Sequence, residues 1–288
     1  MNNAERPNRL TSPAPVTHRG RTHALTAIVI TLSCAVLSAH SSVNALPQGR
    51  SHTADGKTTS KSAITTQPLA GLVIALDPGH QLGNSNPKFR KFMAQKRFQG
   101  RIWKSCNTTG TATNSGYPEA TFNWEVSRIL RAQLESLGAK VPMSRTTNDR
   151  EHWGPCTWDR GTFGMRTGAD LMVEIHADGA PRAAHGFHII TPSLTRGWTD
   201  HIYQPDRQLA DAMKRGMLAA GATPSTYIKG AISVRSEMMA LNISQIPTVL
   251  VELGNMRNSR EAALMTSAAG RQHYAQVLLA GIRAYLKR

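Results

Sequence analysis

The sequence predicts an α/β fold: one domain over residues 70–288, with a mostly parallel, twisted sheet that carries helices on both faces. Short, fully apolar runs are typical of strands that are buried on both faces. Between them lie longer segments in which apolar residues recur every three or four positions, as in a helix packed on one side. Strands that alternate with helices along the chain favour a parallel sheet covered on both faces.

The predicted elements follow one another from residue 70 to the end of the chain. Strands are predicted at 72–76, 139–144, 171–175, 187–191 and 248–251, and helices at 120–137, 157–168, 205–220, 261–265 and 272–286. Helix 205–220 is expected to point four residues inward: Leu209, Met213, Met217 and Leu218. A long polar stretch, residues 81–117, separates the first strand from the first helix, and loops of such length are usually functional.

The N-terminal residues are typical of an export signal. Residues 24–37 carry no charge, but a membrane span needs about 20 apolar residues. A basic region, this short apolar run and a small-x-small cleavage site together predict a signal peptide over residues 1–45, with an uncleaved anchor as the alternative. Residues 46–69 are rich in Ser, Thr and Lys, which predicts a flexible linker. We therefore expect an exported protein (periplasmic, wall-associated or secreted) that keeps no membrane span after cleavage.

The charge balance predicts attraction to polyanions. Lys and Arg number 34 against 18 Asp and Glu, a formal net charge of +16. Such a field attracts nucleic acid, anionic lipid and acidic wall polymers alike. No nucleic-acid-reading motif is present and only 6% of residues are aromatic, so a specific nucleic-acid binder is disfavoured. The sign of the charge does not choose among the remaining polyanions, and electrostatic binding to anionic wall polymers becomes an expectation only with the family resemblance of the motifs described below.

Two of the three cysteines are expected to pair. Cys34 lies in the apolar leader, which leaves Cys106 and Cys156 in the predicted domain. An even number of cysteines in an exported protein, at this separation, favours one disulfide over a metal site. Two free buried thiols are the alternative.

Ionisable residues follow three predicted strands, where active sites of open α/β sheets lie. His80 follows the first strand, His176 ends the third and Glu252 ends the last, while Glu119 opens the long helix. Two histidines and a carboxylate form a standard zinc ligand set, and a separate carboxylate can transfer protons. From the residues alone each can also be purely structural, and other histidines compete: His152, His185, His188 and His201.

Four segments in order carry a family resemblance. Residues 74–80 read IALDPGH, 119–123 read EATFN, 174–178 read EIHAD and 251–258 read VELGNMRN. Together they resemble the motifs of zinc-dependent N-acetylmuramoyl-L-alanine amidases of the amidase-3 type, over roughly residues 70–288. A strand ending in Arg145 also fits that pattern.

The resemblance implies a function and a site. One Zn²⁺ per chain would be held by His80, Glu119 and His176, and Glu252 would be catalytic. The resemblance selects Glu119 over Glu125 because Asn123 follows it by four residues. The implied reaction cleaves the amide bond between N-acetylmuramic acid and L-alanine in peptidoglycan or muropeptides. The alternatives are a zinc peptidase acting within the stem peptide and a non-catalytic, basic wall-binding protein.

The chain also departs from the family pattern. Glu174 stands where Ser is frequent, and strand alternation places it on the face of His176, so we expect it to be buried with a partner and not to be a ligand. Asn255 replaces a usual Phe. Residues 88–113 are long and are expected to fold over the edge of the substrate groove, held by the disulfide. Arg235 is expected to contact substrate carboxylates, with an ordinary exposed arginine as the alternative.

Overall fold

The computed structural model describes residues 67–98 and 102–288. The predicted signal peptide, residues 1–45, and residues 46–66 of the predicted linker lie outside the described residues. The bounds of the signal peptide and of the linker therefore stay predictions. Within the described part of the chain, no helix is both long and apolar enough to cross a membrane.

The elements alternate along the chain as the apolar pattern predicts. The strands are β1 (Ile74–Pro78), β2 (Lys96–Phe98), β3 (Trp103–Ser105), β4 (Leu171–Asp178), β5 (His188–Pro192), β6 (Ile232–Arg235) and β7 (Thr248–Asn255). The helices are α1 (Arg90–Met93), α2 (Glu119–Ser136), α3 (Thr157–Arg166), α4 (Tyr203–Ala219), α5 (Met239–Ile243), α6 (Ser259–Thr266) and α7 (Ala268–Leu286).

The central sheet has five strands in the order β1-β4-β7-β5-β6. Strands β1, β4 and β7 are mutually parallel, β6 is parallel to β5, and β5 runs antiparallel to β7. The predicted mostly parallel sheet is therefore confirmed. Because β5 is reversed, its first residue lies at the same edge of the sheet as the last residues of β4 and β7.

One predicted strand is only partly formed. Residues 139–144 run beside β1, but they pair with it through two isolated bridges, Val73 with Lys140 and Leu76 with Met143. Pro142 lies between the two bridges and has no N–H to donate, so a continuous ladder cannot form there. Backbone hydrogen bonds still join the segment to β1 and to the residues just before it, including Ile74 N to Lys140 O at 2.9 Å and Lys140 N to Leu72 O at 2.8 Å.

Helices cover both faces of the sheet. On one face α2, α4 and α7 pack on a large apolar core that includes Phe122, Leu130, Ile175 and Val251. Of the four residues expected to point inward from α4, Leu209, Met213 and Met217 are fully buried. The expectation for Leu218 is wrong, because it is 41% exposed. It follows Met217 directly and therefore lies about 100° further round the helix.

The second face is covered by α3 and α5 and is more polar. Small apolar clusters pack there, one around Met172 and another around Ile190 and Leu250. Strand alternation places Glu174 and His176 on the side of Met172, and Glu252 on the side of Leu250. The second face therefore carries the ionisable residues at the ends of the strands.

Candidate active site

Three of the predicted site residues meet at the carboxyl edge of the sheet. Nε2 of His80 lies 3.3 Å from Oε2 of Glu119, and Nδ1 of His176 lies 2.9 Å from Oε1 of the same carboxylate. The two imidazole rings stand edge to face with centroids 4.9 Å apart. One ligand atom from each residue lies within 4.8 Å of the others. We refer to these three residues as the triad.

The triad fits a zinc ion. Zinc binds nitrogen and carboxylate oxygen at roughly 2.0–2.2 Å, so tetrahedral ligand atoms lie about 3.4 Å apart. The 2.9 and 3.3 Å separations around Glu119 are close to that value. Two imidazoles and one carboxylate are also the ligand type of catalytic zinc sites, which keep a fourth position open.

His80 is presented by an unusual backbone conformation. It has φ of 60°, a region that costs a non-glycine residue free energy and persists only where the surroundings impose it. The preceding turn is tied to β4, since Gly79 N donates to Ile175 O at 2.9 Å. Nδ1 of His80 donates to Thr108 O at 2.9 Å, which leaves Nε2 facing Glu119. This hydrogen bond selects the tautomer that a metal ligand requires.

Glu119 opens helix α2 and is held on both carboxylate oxygens. Thr111 N donates to Oε2 at 2.8 Å, and Asn123 Nδ2 donates to Oε1 at 3.1 Å. Asn123 also reaches Gly79 O at 3.2 Å, so one buried amide joins the helix to the turn before His80. The four-residue spacing from Glu119 to Asn123 is one helical turn. Burial alone would raise the pKa of Glu119, but the two histidines hold it well below its usual range.

His176 is enclosed by charged and backbone groups. Its Nδ1 faces Glu119, and its Nε2 accepts from Arg160 Nη2 at 3.0 Å. Burial lowers the pKa of His176 to about 4, so the ring is neutral at neutral pH, as a metal ligand must be. Gly79 lies directly against the ring: a Cβ there would be 2.2 Å from its Cε1.

A buried ion cluster lies beneath His176. Arg160 of α3 contacts Asp77 Oδ2 through Nε at 2.6 Å and Glu174 Oε2 through Nη2 at 2.9 Å. Glu174 is thus buried with a partner, and it is not among the triad. Arg145 forms a second buried anchor, donating to Pro78 O at 3.0 Å and Ala120 O at 2.9 Å. These arginines join the end of β1 to helices α2 and α3.

Glu252 lies on β7 directly beside His176 in the strand register. It lines a cleft of about 250 Å³ together with the triad, Asp178 and residues 108–111. Its Oε2 is buried and has no hydrogen-bond partner within the described residues. Burial and then the negative charges of Glu119 and Asp178 raise the pKa of Glu252 well above its usual range. A carboxyl group with a raised pKa suits proton transfer near neutral pH.

A second cleft, of about 320 Å³, meets the first at His80, Thr108 and His176. Strands β2 and β3 form a hairpin whose Lys96, Trp103 and Lys104 line this cleft. We call it the hairpin cleft. The predicted disulfide between Cys106 and Cys156 is present and joins the hairpin to the start of α3. The polar stretch therefore folds over the edge of the site.

The remaining candidates have other partners. Arg235 is about half exposed and forms an ion pair with Glu237, which lines the hairpin cleft.

Among the competing histidines, three lie outside the triad with separate hydrogen-bond partners: His152 with Asp149, His185 with Ala183 O and His201 with Ser244 O. The fourth, His188, lies beside Glu252 in the register of β5 and β7. The strand-end rule for parallel strands does not identify it, because it begins an antiparallel strand.

Comparisons with known proteins identify the family of the chain. Residues 74–284 match the family described as N-acetylmuramoyl-L-alanine amidase. The chain is 36% identical to N-acetylmuramoyl-L-alanine amidase Rv3717 of Mycobacterium tuberculosis, over 79% of this chain and 91% of that protein.

Solved structures give the same result. A crystal structure of the amidase Ami1 from Mycobacterium abscessus in its apo form is 41% identical, covers 76% of this chain and 100% of its own, and has a TM-score of 0.69. For Ami1 from Mycobacterium smegmatis the identity is 37%, the coverage 76% and 98%, and the TM-score 0.70. The predicted resemblance is confirmed, and the chain belongs to the N-acetylmuramoyl-L-alanine amidase family.

Proposed function

We propose that this enzyme uses a bound zinc ion to hydrolyse the amide bond between N-acetylmuramic acid and L-alanine in peptidoglycan. The observation that carries the proposal is the triad, with a further carboxyl group, Glu252, beside it in the same cleft. His80, Glu119 and His176 would hold one zinc ion per chain. Zinc in such a site supplies a Lewis acid and a water molecule acidic enough to attack at neutral pH.

Glu252 carries the proton transfers. Its carboxylate takes a proton from the attacking water and delivers it to the L-alanine nitrogen as the carbon–nitrogen bond breaks. The products are the N-acetylmuramic acid carboxylate and a free L-alanine amino terminus. The partly buried position of Glu252 beside His176 supports this role, because it places the carboxyl group at the wall of the cleft that holds the triad.

The two clefts suggest how the substrate lies. The cleft of Glu252 contains Asp178 and would repel an acidic ligand. The hairpin cleft contains Lys96 and Lys104, and its acids Glu174 and Glu237 are paired with Arg160 and Arg235. Stem peptides carry free carboxylates, so we place the peptide in the hairpin cleft and the glycan on the other side of the triad. Arg235 would assist there, since its partner Glu237 lines the same cleft.

We further propose that the protein acts outside the cytoplasm. A predicted signal peptide over residues 1–45 and the net charge of +16 support export to a wall rich in acidic polymers. The names of the relatives, which include several cell wall amidases, agree with such a location.

The proposal is tested on purified peptidoglycan. Release of L-alanine amino termini is followed for the mature protein, the chelator-treated protein, the zinc-restored protein and Glu252→Gln. An exposed acid outside the site, Glu151→Gln, is the matched control. We expect the release to depend on the metal. Glu252→Gln should still bind zinc but release no L-alanine termini, whereas Glu151→Gln should release them as the wild type does. New amino termini other than L-alanine would instead indicate a peptidase within the stem peptide. Binding without hydrolysis by any form would indicate a wall-binding role.

A further inference from the structure

His188 is a buried histidine that the proposed reaction leaves without a role. It is only 2% exposed, and its Nδ1 has no hydrogen-bond partner within the described residues. Buried polar side chains are almost always hydrogen-bonded, so an exception calls for an explanation, and a catalytic role is one of the common ones. Oε2 of Glu252 is a second such atom.

The strand register places these two atoms on neighbouring residues. Glu252 of β7 is paired with His176 of β4 on one side and with His188 of β5 on the other. Residues directly opposite each other project to the same face of the sheet, with Cβ atoms about 5 Å apart. His176, Glu252 and His188 therefore form a row across three strands, with the proposed base in the middle.

Of the two flanking histidines, only His188 has a ring nitrogen without a hydrogen-bond partner within the described residues. Nδ1 of His176 faces Glu119, and its Nε2 accepts from Arg160. The ring of His188 packs edge to face with that of Tyr227, with centroids 5.6 Å apart and planes at 82°. The hydroxyl of Tyr227 donates to Asp178 Oδ2 at 3.0 Å, so the ring that supports His188 is itself anchored at the cleft.

We propose that His188 is a positioning residue for Glu252: its imidazole N–H hydrogen-bonds one oxygen of the Glu252 carboxylate and keeps the other oxygen directed at the reacting water. This inference rests on the proposed function. Neither His188 Nδ1 nor Glu252 Oε2 has a partner within the described residues, and we expect the contact to form once zinc is bound, since catalytic hydrogen bonds are often long or poorly aligned in the unliganded protein. Burial lowers the pKa of His188 to about 4, so the ring is neutral at neutral pH and has one N–H to donate.

The hydrogen bond has a measurable effect on Glu252. A donor favours the charged carboxylate and lowers its pKa, so removing the donor raises that pKa. The other charged groups that act on Glu252 are Glu119 from α2, Asp178 and Glu174 from β4, and Arg235 from β6. They stay in place when His188 alone is replaced, so a change in the titration of Glu252 reports on His188.

The experiment compares His188→Phe, which removes the donor, with His188→Gln, which keeps an N–H. His273→Gln, an exposed histidine on α7, is the control. We expect His188→Phe to lower kcat about 10- to 100-fold, with KM within about twofold of wild type and one zinc per chain, and His188→Gln to recover most of the loss. Carbon NMR of the zinc-loaded protein should show the titration midpoint of Glu252 rising by about one pH unit in His188→Phe only.

The NMR titration does not depend on which bond the enzyme cleaves. A wild-type protein that releases no L-alanine termini contradicts the proposed function, while the Glu252 midpoint still decides the role of His188. An unchanged midpoint in His188→Phe overturns the inference. Equal losses in His188→Phe and His188→Gln, accompanied by lost zinc or a lower melting temperature, would likewise overturn it and leave His188 as a packing residue.

Discussion

At the scale of single residues, every member of the triad is held by a group that lies outside the triad. Thr108 orients His80, Asn123 and Thr111 hold Glu119, and Arg160 contacts His176. Such outer partners fix the direction of a ligand before the ion arrives, and their loss typically weakens metal binding by about 10- to 100-fold.

Asn123 provides the sharpest test of this support. Its amide is fully buried and donates to both Glu119 Oε1 and Gly79 O. We expect Asn123→Ala to weaken zinc binding about 10-fold or more, measured by competition with a chelator. Asn114→Ala, which removes an exposed asparagine, should leave zinc affinity unchanged. Equal affinities in the two variants would show that Glu119 does not need this support.

Asp206 of α4 gives a prediction about stability and pH. Burial raises its pKa to about 8, although Thr248 N donates to its Oδ1 at 2.7 Å. The folded protein therefore keeps this proton while the unfolded chain releases it above about pH 4, so folding stability falls as pH rises from about 4 to 8. Asp206→Asn should remove this loss and stabilise the protein by about 1–3 kcal/mol at pH 8, with little change at pH 4.

The measurement is denaturant unfolding of Asp206→Asn at both pH values. Asp211→Asn, a partly exposed acid on the same helix, is the control. A gain of equal size at pH 4 and pH 8 would mean that the titration of Asp206 is not its source.

Sequence reasoning identified the residues whose environment is local. His80, His176 and Glu252 follow parallel strands, and Glu119 starts a helix with strong periodicity. His188 was named only among the competing histidines, and Arg160 was not identified, because their surroundings depend on neighbours distant in sequence: Arg160 contacts Asp77, 83 residues away. No pattern within α3 distinguishes such a buried arginine from an exposed one.

At the scale of elements, the hairpin of β2 and β3 is the least predictable part of the described chain. Its strands have three residues each, and all six residues are exposed or partly exposed. A strand without a buried face shows no apolar alternation, so periodicity cannot detect it. Strand β6 is partly or fully exposed in the same way. The larger elements were predictable because each buries a continuous apolar face.

The disulfide is expected to stabilise both the fold and the hairpin cleft. Closing a loop of fifty residues contributes about 3–4 kcal/mol in the chain-entropy account. We expect the double variant Cys106→Ser, Cys156→Ser to lose about that much unfolding free energy, and to raise KM more than it lowers kcat while still binding zinc.

Denaturant unfolding and kinetics on soluble muropeptides measure these effects, and the reduced wild-type protein is the natural comparison. An unchanged KM in both proteins would show that the hairpin does not help to bind the substrate.

At the scale of the whole molecule, the basic charge predicts how the enzyme responds to salt: it is +16 for the full sequence and +13 without the predicted signal peptide, where 30 Lys and Arg face 17 Asp and Glu. Attraction between exposed charges is largely screened beyond about 8 Å at physiological ionic strength. We expect binding to anionic wall polymers to weaken steeply between low and physiological salt. Zinc binding by the buried triad should change little, since buried groups are screened less. Sedimentation with purified walls, with and without their anionic polymers, measures the difference, and salt-independent binding would contradict an electrostatic origin.

Two glycines at the triad bear on how the gene tolerates mutation. A Cβ at Gly79 would lie 2.2 Å from the His176 ring, and one at Gly110, where φ is +75°, would lie 2.6 Å from Glu119 Oε2. Any side chain at either position must displace a residue of the triad, His176 or Glu119. In a saturation screen for cell-wall lysis, codons 79 and 110 should therefore be as intolerant as those of the ligands, although neither residue has a side chain that touches metal or substrate.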